Sequence, residues 1–341
     1  MRRVFTAVIF PPALPSATKR TLGNMYAARS KLSAGRNWPN LLPELDLREV
    51  IEKAIILCGG QGTRLREHTE LRPKPMVEIG GRPILWHIMK LYAGHGITDF
   101  ILCLGYKAGM IKEYFLNYQA MNCDFTVELG RGGGIELHGA SGDDERWRVT
   151  LADTGEETMT GARVRRAARY LDDRDENFMV TYGDGLADVN LRAVLEFHEE
   201  HGRLATLTGV RPPSRFGELQ CDGQRVVAFS EKPAVGQGLI NGGFFCFRRG
   251  CLEYLSDDAG CVLERAPLES CAAAGELCVF EHSGFWQCMD TYRDWQSLEA
   301  QWKSGRAPWK VGRLELVVDD SSAPVAGRVG ADVPERRRIS A

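Results

Sequence analysis

The chain has 341 residues, a formal net charge of −2, and 44% hydrophobic and 26% charged residues. Such a balance is that of an ordinary globular protein, and it gives no electrostatic reason for nucleic acid or an anionic membrane as a partner. No apolar run in it approaches the roughly 20 residues that span a bilayer, and the length allows one large or two modest domains.

From Met1 to Pro43 there is no Asp or Glu, yet there are seven Lys or Arg. Acid-free, Arg-rich N-termini occur in organelle transit peptides, but Pro11-Pro12 interrupts the one apolar run that export would need. Residues 1–50 are expected to be a disordered extension, or the result of a start placed upstream of the working one, with Met25 a later candidate.

The alternation of elements begins at "KAIIL" (53–57), a short buried strand that ends in glycines. "PILWHIMKLYAGHG" reads as a helix opened by Pro83 in its first turn and closed by glycines. There follow a second buried strand "DFILCLGY", a helix "GMIKEYFLNY" and a third strand "DFTVEL". "RGGGIELHGASGDDERWRVTLADTG" reads as a long excursion with a hairpin, then "TGARVRRAARYL" as a basic-faced helix and "NFMVTYGD" as another strand. Continuous apolar strands separated by helices predict a parallel α/β sheet. After "LATLTGV" the strands shorten ("GELQCD", "RVVAFSE", "GGFFCFR") and suit an antiparallel part. The tail after Lys310 has no periodicity and reads as disordered. The expected organisation is therefore an extension over 1–50, one folded domain over 51–310 and a tail over 311–341. The ten cysteines are scattered without a CxxC pair, so they are read as reduced small hydrophobes of a cytoplasmic protein.

In "AIILCGGQGTRLREHTELRPKPM" (54–76) a strand runs into a glycine loop, the place where α/β folds offer backbone N–H groups to phosphate. Neither of two familiar phosphate loops fits. Arg64 stands five residues after Gly59 with no Lys-Ser or Lys-Thr following, and Leu65 stands where a dinucleotide fingerprint needs its third glycine. A glycine cluster alone is equally compatible with a tight turn. Its company favours polyphosphate: Gly59, Gly60 and Gly62 permit close backbone approach, Arg64 can fork onto phosphate oxygens, and Lys74 is held between Pro73 and Pro75. Asp184 in "YGDG" follows a buried strand at its carboxyl end, a place where ligands bind, although taken alone an Asp between glycines is more often turn chemistry than a cation ligand.

These segments resemble the sugar-1-phosphate nucleotidyltransferases. The match runs over about residues 53–310 through "GGQGTRL", "RPKPMVEIGGRPILWHIMK", "DTGEETMTGARV", "TYGDGLADV", "EKP", "INGGFF", "FWQCMDTYRD" and "APWK". It is closest to the branch that joins CTP and glucose 1-phosphate into CDP-glucose and pyrophosphate. Cys58 stands where the family usually has alanine.

The resemblance implies a single Rossmann-like nucleotidyltransferase domain. Its central sheet would be mixed and mainly parallel, flanked by helices, with a smaller antiparallel sugar-binding part. It further implies Mg2+ held by Asp184 and Asp290, and catalytic charge from Arg64 and Lys74. Nucleotide contacts are implied for Leu57, Cys58, Gly59, Gly60, Gln61, Gly62, Thr63, Arg64, Lys74, Thr158, Arg163 and Gly183. Sugar-phosphate contacts are implied for Glu231, Lys232, Asn241 and Gly242. Read without the resemblance, Glu231-Lys232 is a surface ion pair, Asp290 precedes a helix near its N-cap, and "TMTGARV" is a helix start with Thr160 as its cap. Trp286 suits either the core or the face of a hexose. The choice of cytosine rests on overall resemblance, with UTP or dTTP, and a non-catalytic nucleotide-sugar-binding regulator, as alternatives. The expected partners are small molecules, with no nucleic acid and no membrane, and the expected state is a homo-oligomer.

Overall fold

The computed structural model describes residues 53–60, 62, 65, 70–130, 133–138, 145–212, 218–222, 224–230 and 238–310. The expected extension and tail, and the site candidates Gln61, Thr63, Arg64, Glu231 and Lys232, lie outside the described residues.

Eight strands form one sheet. In chain order they are β1 Lys53–Leu57, β2 Asp99–Leu104, β3 Arg148–Asp153, β4 Asn177–Tyr182, β5 Ala205–Val210, β6 Ile240–Asn241, β7 Phe245–Arg248 and β8 Leu277–His282. β1 lies between β2 and β4 and is parallel to both, and β3 extends the parallel part beyond β2. β7 runs antiparallel to β4 and to β5, β6 meets the far end of β5 in the same sense, and β8 is parallel to β5. Among the described strands of this sheet, β6 and β7 alone run against the rest, which is the mixed, mainly parallel arrangement expected.

The continuous apolar run of β1 follows from burial on both faces. Ala54 and Ile56 join one cluster with α1 (Ile84–Gly94), α2 (Ala108–Leu116), α4 (Leu191–His201) and α6 (Tyr292–Lys303). Ile55 and Leu57 join the other with α3 (Thr160–Ala167) and α5 (Ala266–Ala273). Ile55 and Ile56 are wholly buried, and each side chain so placed contributes about 1.5–3 kcal/mol.

Three expectations are corrected. "DFTVEL" is not part of the main sheet; Asp124–Val127 pairs antiparallel with Ile135–His138 as a separate, exposed hairpin. Its register sets Phe125 opposite Leu137 and Val127 opposite Ile135, so the period-2 alternation that reads as a sheet strand serves a two-stranded ribbon. The third parallel strand is β3, inside the supposed excursion, where its partly exposed edge position breaks the apolar run. Thr160 does not cap α3: Met159 holds the N-cap position, and the Thr160 hydroxyl instead donates to Glu264 Oε2 at 2.7 Å and accepts from Leu263 N at 2.9 Å.

Candidate active site

The register aligns Leu57 with Cys103 on one side and Tyr182 on the other. The segments that follow β1, β2 and β4 therefore leave the sheet side by side at its carboxyl edge, where open α/β sheets bind ligands. The glycine loop is anchored from behind. Arg163 on α3 sends Nη2 to Gly59 O at 3.1 Å and Glu156 O at 3.0 Å, and Nη1 to Leu104 O, Thr154 Oγ1 and Gly155 O at 2.7–2.9 Å. A Cβ at Gly59 would stand 2.2 Å from that guanidinium, so the arginine and the loop pack this closely only because residue 59 has no side chain. Thr158 is likewise buried, its hydroxyl accepting from Arg166 Nη1 at 2.8 Å. The expected nucleotide contacts Thr158 and Arg163 thus hydrogen-bond within the protein, Arg163 directly behind the loop at Gly59. Cys58 is wholly buried, and its backbone N–H donates to Cys103 O at 3.0 Å.

Lys74 opens a single 3-10 turn, Lys74–Met76, closed by Met76 N donating to Pro73 O at 2.8 Å and Val77 N to Lys74 O at 3.1 Å. Pro73 is extended at φ −67°, and Pro75 is buried, so the main chain carrying the ammonium has little freedom. Lys74 Nζ donates to Asp184 Oδ2 at 2.5 Å and Asp290 Oδ1 at 2.7 Å, across 110 and 216 residues. Burial pulls its pKa down, but the Asp184 charge, with the hydrogen bonds it donates to both aspartates, outweighs it and raises the value above the ordinary one. The lysine expected on phosphate therefore sits between the two expected cation ligands.

Local pairings explain why those aspartates converge. Gly183 N donates to Leu57 O at 3.0 Å, and a Cβ at residue 183 would lie 2.7 Å from the same oxygen, so glycine lets Asp184 emerge directly beside the loop. Gly185–Ala187 then pairs antiparallel with Trp286–Cys288, setting Gly185 opposite Cys288, and Met289 N donates to Asp184 O at 2.9 Å. Asp290 is fixed from the other side: Asp294 Oδ2 accepts from Asp290 N at 3.1 Å and Thr291 N at 2.8 Å, within a reciprocal cap at the start of α6. Donor atoms of Asp184, Cys288 and Asp290 all lie within 4.8 Å of one another. The residues present fit a divalent cation. Two carboxylates converge on one point, and an ammonium already stands there as a cationic counterpart.

On the far side of Tyr182, Asn241 Nδ2 donates to Tyr182 Oη at 3.1 Å and Asn241 Oδ1 accepts from Gly243 N at 2.9 Å. An amide carries two hydrogens and two acceptor lone pairs, so these bonds orient Asn241 while leaving capacity for a hydroxyl. Gly242 has its N–H on Thr208 O at 2.8 Å and its carbonyl on Trp286 Nε1, also at 2.8 Å. Trp286 is therefore a brace on the "NGG" segment. Tyr182 Oη donates to Glu264 Oε1 at 2.5 Å.

Sequence reasoning overlooked Asp294, Cys288 and the Tyr182–Glu264 pair. The first had a signal, since "TYRD" (291–294) places an acid three residues after a threonine, the spacing of a capping box. The others had none: strand register sets Cys288 beside Asp184, and tertiary packing brings Glu264, in the turn before α5, to Tyr182.

A glycine loop beside a lysine and two converging carboxylates, at the carboxyl edge of an α/β sheet, is an arrangement suited to a phosphate-bearing ligand. Residues 53–269 match the family model described as "Nucleotidyl transferase", and the chain belongs to that family. It is 51% identical over 248 residues to the glucose-1-phosphate cytidylyltransferase of Salmonella typhi, covering 73% of this chain and 95% of that protein. The Salmonella typhimurium enzyme of the same name matches equally, at 51% over 248 residues. The same fold occurs in HddC from Yersinia pseudotuberculosis, with a TM-score of 0.54 at 23% identity over 74% of this chain and 99% of that one. No helix among the described residues is long and apolar enough to cross a membrane.

Proposed function

We propose that the chain transfers a cytidylyl group from CTP to α-D-glucose 1-phosphate, giving CDP-glucose and pyrophosphate, with Mg2+ at Asp184 and Asp290. The observation that carries the chemistry is Lys74 bridging Asp184 and Asp290 beside the glycine loop. The choice of substrates is supported by 51% identity spanning 95% of a glucose-1-phosphate cytidylyltransferase.

A phosphate oxygen of the sugar phosphate attacks the α-phosphorus of CTP. One P–O bond forms and the bond from α-phosphorus to the bridging oxygen breaks, with the electron pair leaving on pyrophosphate. The attacking phosphate has a second pKa near 6 and is largely dianionic at pH 7, so no general base is required. The protein's task is in-line positioning and charge stabilisation. Bound Mg2+ neutralises part of the triphosphate charge. Lys74, released toward the phosphates, supplies a point charge on a rigid turn, and Arg64 adds a forked donor from the loop. Gly59, Gly60 and Gly62 bring backbone N–H groups up to the triphosphate. Asn241 and the Trp286-braced "NGG" segment take the sugar, together with Glu231 and Lys232.

The test is to offer ATP, CTP, GTP and UTP separately with glucose 1-phosphate and Mg2+ and to identify the product. CDP-glucose formed fastest from CTP is the expected result. Pyrophosphate release with another nucleotide and none with CTP would overturn the substrate assignment.

A further inference from the structure

We propose that Cys288 turns the aspartate pair into a three-donor site for a thiophilic divalent ion, so that Zn2+ binds to Asp184, Asp290 and the Cys288 thiolate and blocks turnover. The inference rests on the reading of Asp184 and Asp290 as cation ligands, and is independent of which nucleotide is used.

Placement is the first ground. Cys288 pairs with Gly185 across the short ribbon, next to Asp184, and Met289 turns into the core while Cys288 and Asp290 face the same point. The three donor atoms lie within 4.8 Å of one another. A single ion with bonds of about 2.0–2.3 Å to carboxylate oxygen and sulfur reaches all three after small side-chain rotations. The donors come from a paired ribbon and a capped helix start, so their backbones are already in position.

Chemistry is the second. Mg2+ takes oxygen ligands, so it has no use for the Cys288 sulfur. Zn2+ and Co2+ accept sulfur readily, and a coordinating thiol is deprotonated outright. The S–H bond breaks, the metal–sulfur bond forms, and the proton passes to buffer. Three negative donors then face an ion of charge +2 and the Lys74 ammonium, leaving no net charge in a half-buried site. A tetrahedral ion held by three protein ligands keeps one open position, too few for the several waters and phosphate oxygens an octahedral Mg2+ retains.

The test uses the full chain without nucleotide, titrated with Co2+ as a spectroscopic probe. The expected result is one equivalent giving a near-ultraviolet sulfur-to-cobalt charge-transfer band, erased by Zn2+. In Cys288→Ser, checked for folding by its melting temperature, the band should be absent and Zn2+ affinity reduced about tenfold or more. In Asp184→Asn the band should need more Co2+ to appear. No band in the unmodified chain, a band that survives Cys288→Ser, or unchanged Co2+ affinity in Asp184→Asn each overturns the proposal. With no nucleotide present, none of these outcomes depends on the substrate assignment.

Discussion

The Arg163 guanidinium donates to the carbonyl of Gly59 at 3.1 Å across 104 residues, which ties the glycine loop to the helix behind it. A lysine in its place has the charge but not the planar fork, and would leave several buried acceptors without a donor. Arg163→Lys is expected to lose about 2–4 kcal/mol of stability. Its KM for the nucleotide should rise more than kcat falls. A variant with unchanged KM and melting temperature would remove Arg163 from this role.

Charge and tether at Lys74 should separate. Lys74→Met removes the only described cation bonded to both aspartates, and turnover should fall on the order of 10²–10³-fold. Replacing Pro73 and Pro75 by alanine keeps the charge and loosens the turn, at about 0.4–1 kcal/mol per proline. That effect belongs in apparent affinity. Equal loss of turnover in both variants would contradict the separation.

Asp184→Asn and Asp290→Asn should each lower turnover severely while the fold, read by circular dichroism, persists. Mg2+ titration of the residual rate checks the assignment. Either variant reaching the wild-type rate at low Mg2+ would exclude that residue from the cation site.

Trp286→Phe retains the apolar ring but loses the bond to Gly242 O at 2.8 Å. One such bond is worth about 1 kcal/mol, so KM for glucose 1-phosphate should rise roughly fivefold with kcat nearly unchanged. The measurement is a steady-state titration of the sugar phosphate at saturating nucleotide.

Acid should destabilise the fold through two buried histidines. Burial pulls His87 down to about 4, with its ring between Ile79 O at 2.8 Å and Trp309 Nε1 at 3.4 Å. Burial, then the Arg248 charge, pulls His198 down to about 4. Unfolded, each titrates near 6.5, so between pH 6.5 and 4 the unfolded chain holds protons that the native one does not. Stability is full above 6.5 and falls with pH below it, by about 1.4 kcal/mol per unit for each group. Denaturant midpoints at pH 7 and pH 5 should differ accordingly, and equal midpoints would refute the account.

What could be read from the letters is what local chemistry constrains. The glycine loop after β1, the proline-bound Lys74 and Asp184 beyond a buried strand each announce a restricted backbone, and the structure brings Lys74, Asp184 and Asp290 to one point. Arg163 gave no such notice. Its position on a basic helix is as suitable for solvent as for a buried bracket, and only packing of α3 under the loop decides between them. The hairpin of Asp124–Val127 failed for the related reason that alternation reports one apolar face without saying which strand pairs with it. β3 was lost because a partly exposed edge strand dilutes its apolar signal with Arg148, Thr150 and Asp153.

The ribbon that joins Gly185–Ala187 to Trp286–Cys288 also sets the order in which the enzyme becomes competent during synthesis. The loop and Asp184 are made first, yet the second carboxylate and the strand that holds it in place are made last. Any product of premature termination before Trp286 carries one aspartate, no ribbon and no α6 cap. Such a fragment includes the residues of β1, β2 and β4 but neither Asp290 nor the cap that fixes it. Asp290, together with the cap that holds its backbone, is complete only in chains translated past Asp294.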